Sequence, residues 1–493
     1  MKTLVLPILV PLSTAAVLML APKRPLPQRW ISLAGSVLLL ASALLVFVPV
    51  NAGGIKVLQV GGWPAPFGIT LVADLLAAML VVAVGVVGVA ITGVAFAGVD
   101  PRREAFGYHA LIQILLMGVA GAFLTGDLFN LYVWFEVMLV ASFVLMALHR
   151  TRAQIEAAFK YVTINLIASS MFLTALGLWY GATGTLNMAD LARAWSATST
   201  PGVESVLASL FLIAFSIKAG LFPLFFWLPA SYHTPPAPIA AAFAGLLTKV
   251  GVYALIRVVT LLFPGGPPAL FGLLLAMSAA TMAIGLVAAL NERDFRRVLS
   301  FNLVGHIGYI TASLSLLTPA ALAGALFYVI HHIVVITNLY LVSGVMLRLR
   351  RSTDMARLGG LARSQPLFAA LALIPIFSLA GVPPLSGFLG KLAILEGAFA
   401  AGAYGVGALI LVVGLLTLLS MARCWADSFW RPAEGVQDMA TPGTPLLVTI
   451  GVLSLMTIGM SAGAEPLFDL VTRSAEQLLQ REEYVRAVLG SGR

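Results

Sequence analysis

Charge and cysteine are what this sequence is short of. Only 10% of its 493 residues are Asp, Glu, Lys or Arg, against about 25% in ordinary soluble domains. So few charges cannot cover the surface of a soluble globule of this size, and that class is excluded. A single cysteine, Cys424, excludes a disulfide scaffold and any multi-cysteine zinc or iron–sulfur site. No long polar tract exists, which excludes extended disorder. The 46 Gly and 27 Pro follow no collagen-like period. There is no His-Glu-x-x-His, phosphate-binding loop or haem-attachment pattern. Gly459-Met-Ser-Ala-Gly463 has the spacing of a nucleophile elbow, but it ends an apolar run and not a strand. What is abundant is oil: 60% of residues are hydrophobic and the mean hydropathy is +1.00.

The expected class is therefore an all-α polytopic membrane protein. A helix crossing the hydrocarbon needs about 20 apolar residues, and on that criterion about fourteen spans are expected. They fall near 3–21, 30–50, 69–97, 106–125, 127–148, 158–181, 205–229, 236–262, 268–290, 296–317, 320–347, 367–397, 403–425 and 444–463. The opening run is too long for a signal peptide, and its basic cluster follows it, so it reads as the first span. Residues 51–68, with paired glycines, read as an extended loop or hairpin. Residues 464–493 alternate charge and leucine, as a surface amphipathic helix or a solvated tail would.

Basic residues orient the spans. Eighteen of the 29 Lys and Arg fall in odd-numbered connections, in clusters such as Lys23–Arg29, Arg102–Arg103, Arg150–Arg152, Arg293–Arg297 and Arg348–Arg363. Even-numbered connections and their edges hold only Lys56, Arg193 and Arg257. This places the odd connections in the cytoplasm of a prokaryotic cell and both termini outside. Topology thus accounts for the net charge of +9 without a nucleic-acid partner.

Three lysines remain, Lys218, Lys249 and Lys391, each inside an apolar run, as is Glu136. A charge at the centre of a span costs roughly 2.5–3.5 kcal/mol on insertion scales, so such residues are functional candidates by default. A structural salt bridge could explain one pair, but a lone acid cannot pair three lysines. Burial lowers a lysine's pKa and a nearby carboxylate raises it, so a lysine with a movable carboxylate can act as a proton switch. Lys218 is the candidate partner of Glu136. His331 and His332 are adjacent on one helix and diverge by about 100°, too far to grip one metal together. One of them is expected to face the interior, where an imidazole suits proton relay. His306 and Asp74 are weaker candidates, Asp74 because it reads as isolated. His109 is expected at the interface. No metal and no cofactor are expected.

Two spans carry matching interruptions. Ala219-Gly220 aligned with Ala380-Gly381 also aligns Pro223 with Pro384, and Pro383 adds a second proline. Broken spans in corresponding halves point to a transporter site lined by freed backbone. Five spans separate helices 7 and 12, so they run oppositely. The expected domains are 1–105 (helices 1–3), 106–262 (helices 4–8), 263–430 (helices 9–13) and 431–493. The middle two form two inverted five-helix repeats.

Four stretches then carry a resemblance. They are Asp127-Leu-Phe-Asn-Leu-Tyr-Val-Trp-Phe-Glu136, Phe222-Pro-Leu-Phe-Phe-Trp-Leu-Pro229 with Lys249-Val-Gly-Val-Tyr253, Asp294-Phe-Arg-Arg-Val-Leu-Ser300 with Gly305-His-Ile-Gly-Tyr309, and Gly381-Val-Pro-Pro-Leu-Ser-Gly-Phe-Leu-Gly-Lys391. They resemble the antiporter-like, proton-translocating family shared by Mrp-type cation/proton antiporters and the membrane arm of respiratory complex I. The resemblance implies a midplane polar axis through Glu136, Lys218, Lys249, His332 and Lys391, with Gly220, Pro223, Gly381, Pro383 and Pro384 at the breaks. It also implies partner subunits in a hetero-oligomeric membrane complex that exchanges protons for Na+. The alternative it leaves is a proton-pumping subunit of NADH:quinone oxidoreductase or a hydrogenase-type complex.

Overall fold

A computed structural model describes residues 2–100, 104, 106–148, 151–198, 201–432 and 440–490. Arg102, Arg103, Arg150 and Arg493 lie outside the described residues. The chain is a bundle of apolar helices, a multi-pass membrane protein. The principal helices are α1 (Leu6–Leu20), α2 (Pro25–Gly53), α3 (Leu75–Gly93), α4 (Tyr108–Leu124), α5 (Leu128–Ala147), α6 (Arg152–Thr183) and α7 (Pro201–Ala219). They continue with α8 (Ala237–Leu261), α9 (Pro268–Asn291), α10 (Phe295–Leu316), α11 (Pro319–Arg350), α12 (Pro366–Ala380) and α13 (Ser386–Ala400). The last are α14 (Tyr404–Trp425), α15 (Thr444–Ala462), α16 (Ala464–Leu479) and α17 (Arg481–Leu489).

Each expected span corresponds to one of these helices or to a broken pair. By length and apolarity alone, eleven described helices can cross a membrane, or twelve if the bent pair Met355–Ser364 and Pro366–Ala380 counts as one span. Fourteen is therefore not reached on that criterion. The shortfall has physical causes: α4 has 17 residues, α10 carries Arg296, Arg297 and His306, and the twelfth span is interrupted.

The helix starts are written in short polar side chains. Asp74, Asp127, Thr151, Asp294 and Thr318 each accept a backbone N–H from the first turn of α3, α5, α6, α10 and α11. This satisfies one of the four orphan donors at each helix end. Asp74 also sets a boundary: α3 starts at Leu75, and not near residue 69. The preceding residues form the hairpin expected there, β1 (Lys56–Gln59) antiparallel to β2 (Thr70–Ala73). Isolated bridges from Leu71 to Thr125 and from Asp127 to Asn187 extend it across one face of the bundle.

α8 and α11 occupy the centre: 94% and 89% of the residues in their apolar stretches are buried, against 28% in α15. At 1.5 Å per residue, the 32 residues of α11 run about 48 Å, longer than the hydrocarbon is thick. The tail is helical and amphipathic as expected. Val471, Ala475 and Leu478 of α16 are buried on the bundle, and Phe468 stacks on Phe327 of α11 with centroids 4.3 Å apart.

α7 and α8 touch at backbone distance. A Cβ on Gly251 would lie 2.5 Å from Ala219 N and 2.7 Å from the Lys218 carbonyl carbon. Only glycine permits that approach. Gly251→Val is expected to lower the protein's melting temperature, with an overpacking cost of about 1–3 kcal/mol. Thermal denaturation of the purified protein reads this directly.

Candidate functional site

Two helices stop at mid-bundle by the same device. Gly220 and Gly381 both have φ +86°, a left-handed conformation natural to glycine. In each, the following N–H folds back: Leu221 N donates to Ser216 O (2.9 Å) and Val382 N to Phe377 O (3.0 Å). These are 6→1 bonds of the Schellman type. Prolyl bonds Phe222–Pro223 and Pro383–Pro384 are both cis. After the break the two halves diverge. α13 resumes at Ser386, whereas the other segment makes only a short helix, Trp227–Ser231.

The breaks expose main-chain groups, and side chains answer them. The indole Nε1 of Trp227 donates to Ile217 O (3.0 Å), and Phe222 N donates to Thr281 Oγ1 (2.8 Å). Lys391 Nζ donates to Leu379 O (3.1 Å) and Ala380 O (3.0 Å), the last carbonyls of α12. A cation is favoured there by the negative end of the helix dipole. In sequence the charge lies beyond the second break; in space it folds back onto it.

The other two lysines are held likewise. Lys249 Nζ donates to Ala244 O (2.8 Å) and Thr248 Oγ1 (3.3 Å). Ala244 lies in a π-helical turn, Phe243–Leu247, where the α-helical ladder is interrupted. Lys218 Nζ donates to Asn165 O (3.3 Å) and Ser169 Oγ (3.1 Å) of α6 and lies 5.2 Å from the Phe135 ring centroid. A cavity of about 20 Å³ beside Lys218, also bordered by Tyr161, Asn165 and Tyr232, has room for one water. Gly251 sets Lys218 and Lys249 at adjacent levels of two touching helices.

Glu136 and Lys218, expected as partners, form no ion pair in this conformation. The lysine is occupied by α6, and Glu136 is half-buried, with Oε1 buried and lacking a hydrogen-bond partner. Phe135, next to Glu136, lies between the two functions as the ring under the ammonium.

Beyond Lys249 three histidines gather. His331 and His332 are both fully buried, although only one was expected to face inward. α8, α10, α13, α15 and α16 all pack against α11, so both sides of it are covered. His331 Nδ1 lies 2.9 Å from Ser386 Oγ at the start of α13, and Ser378 Oγ is 3.3 Å from that hydroxyl. His332 has no hydrogen-bond partner, and its ring is 5.2 Å from that of His306. His306 is therefore as central as His332, although the sequence ranked it lower. Tyr309 and Tyr328 each lie within 5.8 Å of His306, ring to ring, and Lys391 Nζ is 5.7 Å from the Tyr309 centroid. Among the described residues, no His, Cys, Asp or Glu group is placed to hold a metal ion.

One expectation is corrected at the bundle ends. Asp74 is not isolated: its Oδ2 accepts from Arg257 Nη2 at 2.5 Å, and both side chains are buried. Arg257 lies in the last turns of α8, inside the eighth expected span. His109, expected at the interface, is the second residue of α4. It is fully buried, with Nε2 3.3 Å from Glu104, which also pairs with Arg29 at 2.8 Å. Sequence reasoning missed Tyr309, Tyr328, Arg257 and Tyr253 as site residues. Signals existed for three of them: Tyr309 closes the Gly305–Tyr309 stretch, and Lys249, Tyr253 and Arg257 have four-residue helical spacing.

The family described as NADH:quinone oxidoreductase/Mrp antiporter, transmembrane, matches residues 125–420. The D-type subunit of the Na(+)/H(+) antiporter of Alkalihalophilus pseudofirmus is 43% identical over 98% of this chain and 99% of its own length. A chain of the Mrp complex of Dietzia sp. superposes with TM-score 0.93 at 30% identity, covering 99% of this chain and 100% of that one. A chain of respiratory complex I from Thermus thermophilus superposes with TM-score 0.82 at 26% identity, covering 97% and 99%. The chain belongs to the antiporter-like membrane-subunit family shared by Mrp antiporters and NADH:quinone oxidoreductase. Among these three relatives it is most like the D-type subunit of the Na+/H+ antiporter and the Mrp chain, and less like the complex I chain.

The His331–Ser386 contact ties the central helix to the second break. Ser386→Ala leaves a buried imidazole nitrogen without its partner, at a cost of about 1–3 kcal/mol. The purified complex is expected to melt earlier, and His331→Phe on top of it should add little further loss.

Proposed function

We propose that this chain carries the proton path of a multi-subunit Na+/H+ antiporter, a secondary transporter driven by the proton gradient and not an enzyme. The carrying observation is that three lysines at bundle depth, Lys218 and Lys249 buried and Lys391 half-buried, each rest on carbonyl or hydroxyl oxygens. An ammonium so held can lose its proton to a neighbour without leaving a bare charge. Glu136, Lys218, Lys249, His332 and Lys391 are the path's ionisable stations in our reading, with His306 and His331 beside them. Gly220, Pro223, Gly381, Pro383 and Pro384 keep the backbone open where the path crosses.

The division into 106–262 and 263–430 as two inverted repeats rests on the matched helix stops at Gly220 and Gly381. The hairpin face is read as the outside of a prokaryotic cell membrane, because the opposite connections hold most of the basic residues. Both termini then lie outside. A cavity of about 320 Å³ opens on the opposite face, bordered by Gln154, Pro235, Arg296 and Arg348, and offers water access there. The partners are the other subunits of the Mrp-type complex.

A redox-driven pump is the second reading, supported by the complex I superposition and by the family model, which covers both kinds of subunit. Exchange by the purified complex in vesicles, with no electron donor, separates the two. Glu136→Gln and Lys218→Ala are expected to abolish cation-driven proton movement in complexes that assemble normally. Wild-type exchange in either assembled variant contradicts the proton path.

A further inference from the structure

Above Lys249 the polar groups do not end. Tyr253 and Arg257 follow at steps of four on α8, so all three share one side of the helix. Arg257 lies eight residues from Lys249, about 12 Å along the axis at 1.5 Å per residue. Tyr253 OH donates to Phe123 O (2.9 Å), and Arg257 Nη2 donates to Tyr253 OH (3.3 Å) and to Asp74 Oδ2 (2.5 Å). Asp74 starts α3 at the hairpin face.

The column is closed by the chain's own tail. The Tyr484 ring of α17 lies 5.1 Å from Arg257 Cζ, while the Tyr253 ring lies 5.3 Å away on the column side. Two polar atoms here are buried without partners, Arg257 Nε and Tyr484 OH. A structural ion pair would gain from satisfying them, since an unmet buried donor costs about 1–3 kcal/mol. Besides the apolar face it buries through Val471, Ala475, Leu478 and Val488, the tail is held by a few hydrogen bonds: Leu75 N donates to Gln477 Oε1 (3.0 Å), Gln59 Nε2 to Val488 O (3.4 Å) and Arg473 Nη2 to Asn51 Oδ1 (2.8 Å).

We propose that Tyr253, Arg257 and Asp74 form the hairpin-side outlet of the proton path, gated by the Asp74–Arg257 ion pair with Tyr484 as its lid. A proton reaching Asp74 Oδ2 forms an O–H bond and cancels the charge that holds Arg257. The guanidinium and the tail then separate, water enters, and that same proton leaves to it. The carboxylate and guanidinium pair again. Uptake from the hairpin side runs the same steps in reverse.

This inference rests on the proton path proposed above, and its test is separate from that of the path. The reconstituted complex is given a pH gradient with no exchangeable cation present. Wild type and Tyr484→Phe, which keeps the ring, should hold the gradient; assembled Tyr484→Ala should let it collapse faster. Independently, a cysteine pair, Gln59→Cys with Val488→Cys in a Cys424→Ser background, fastens the tail to the hairpin when oxidised. Cation-driven exchange should then be lost, and reductant should restore it. A wild-type leak in assembled Tyr484→Ala overturns the gate, as does full exchange in the oxidised pair. If Tyr484→Ala does not assemble, the cysteine pair decides. Failure of the path itself would show elsewhere, as normal exchange in Glu136→Gln and Lys218→Ala.

Discussion

An ammonium group taken from water to the middle of an apolar bundle must find oxygen atoms or lose its proton. Most main-chain carbonyls near it are committed to helices. This chain meets the constraint by spoiling its helices at chosen places. α12 stops at Gly381 and gives its last carbonyls to Lys391. α8 makes a π turn and gives Ala244 O to Lys249. Lys218 instead takes an oxygen and a hydroxyl from α6. The break at Gly381 and the π turn are thus two answers to one electrostatic problem.

That solution also decides the packing. Irregular backbone at lipid depth must be enclosed by protein, and α8 and α11, which bear Lys249 and the paired histidines, are the most enclosed of the long helices cited. α15, which bears no charge, lies at the rim with most of its surface outward. Close backbone approach at Gly251 keeps water from filling the gap between α7 and α8. Lysines so confined can exchange protons with neighbours but not freely with solvent, as a lateral path requires.

Much of this was legible in the sequence, and for a definite reason. Lys218, Lys249, Lys391 and Glu136 are anomalies in runs of oil, and the Gly–Pro breaks are anomalies in helices, so both stand out against a uniform background. The Asp74–Arg257 pair did not stand out, because each residue lies near the end of a span, where charge is unremarkable. Only the fold brings positions 183 residues apart within 2.5 Å. His306 was underrated because the sequence states which residues share a helix, but not which face of α10 meets α11. The return of Lys391 to Leu379 and Ala380 was hidden for the same reason: it depends on how the chain turns through Pro383 and Pro384.

Lys249 tests the account most directly, since it lies between the two broken helices and its ammonium depends on a single distorted turn. Proton movement driven by a cation gradient, followed with a pH dye in vesicles holding the assembled Lys249→Met complex, is the decisive measurement. The account predicts no exchange above the rate of empty vesicles. Exchange at the wild-type rate would contradict it, because a continuous path through the bundle centre could not then pass through this lysine.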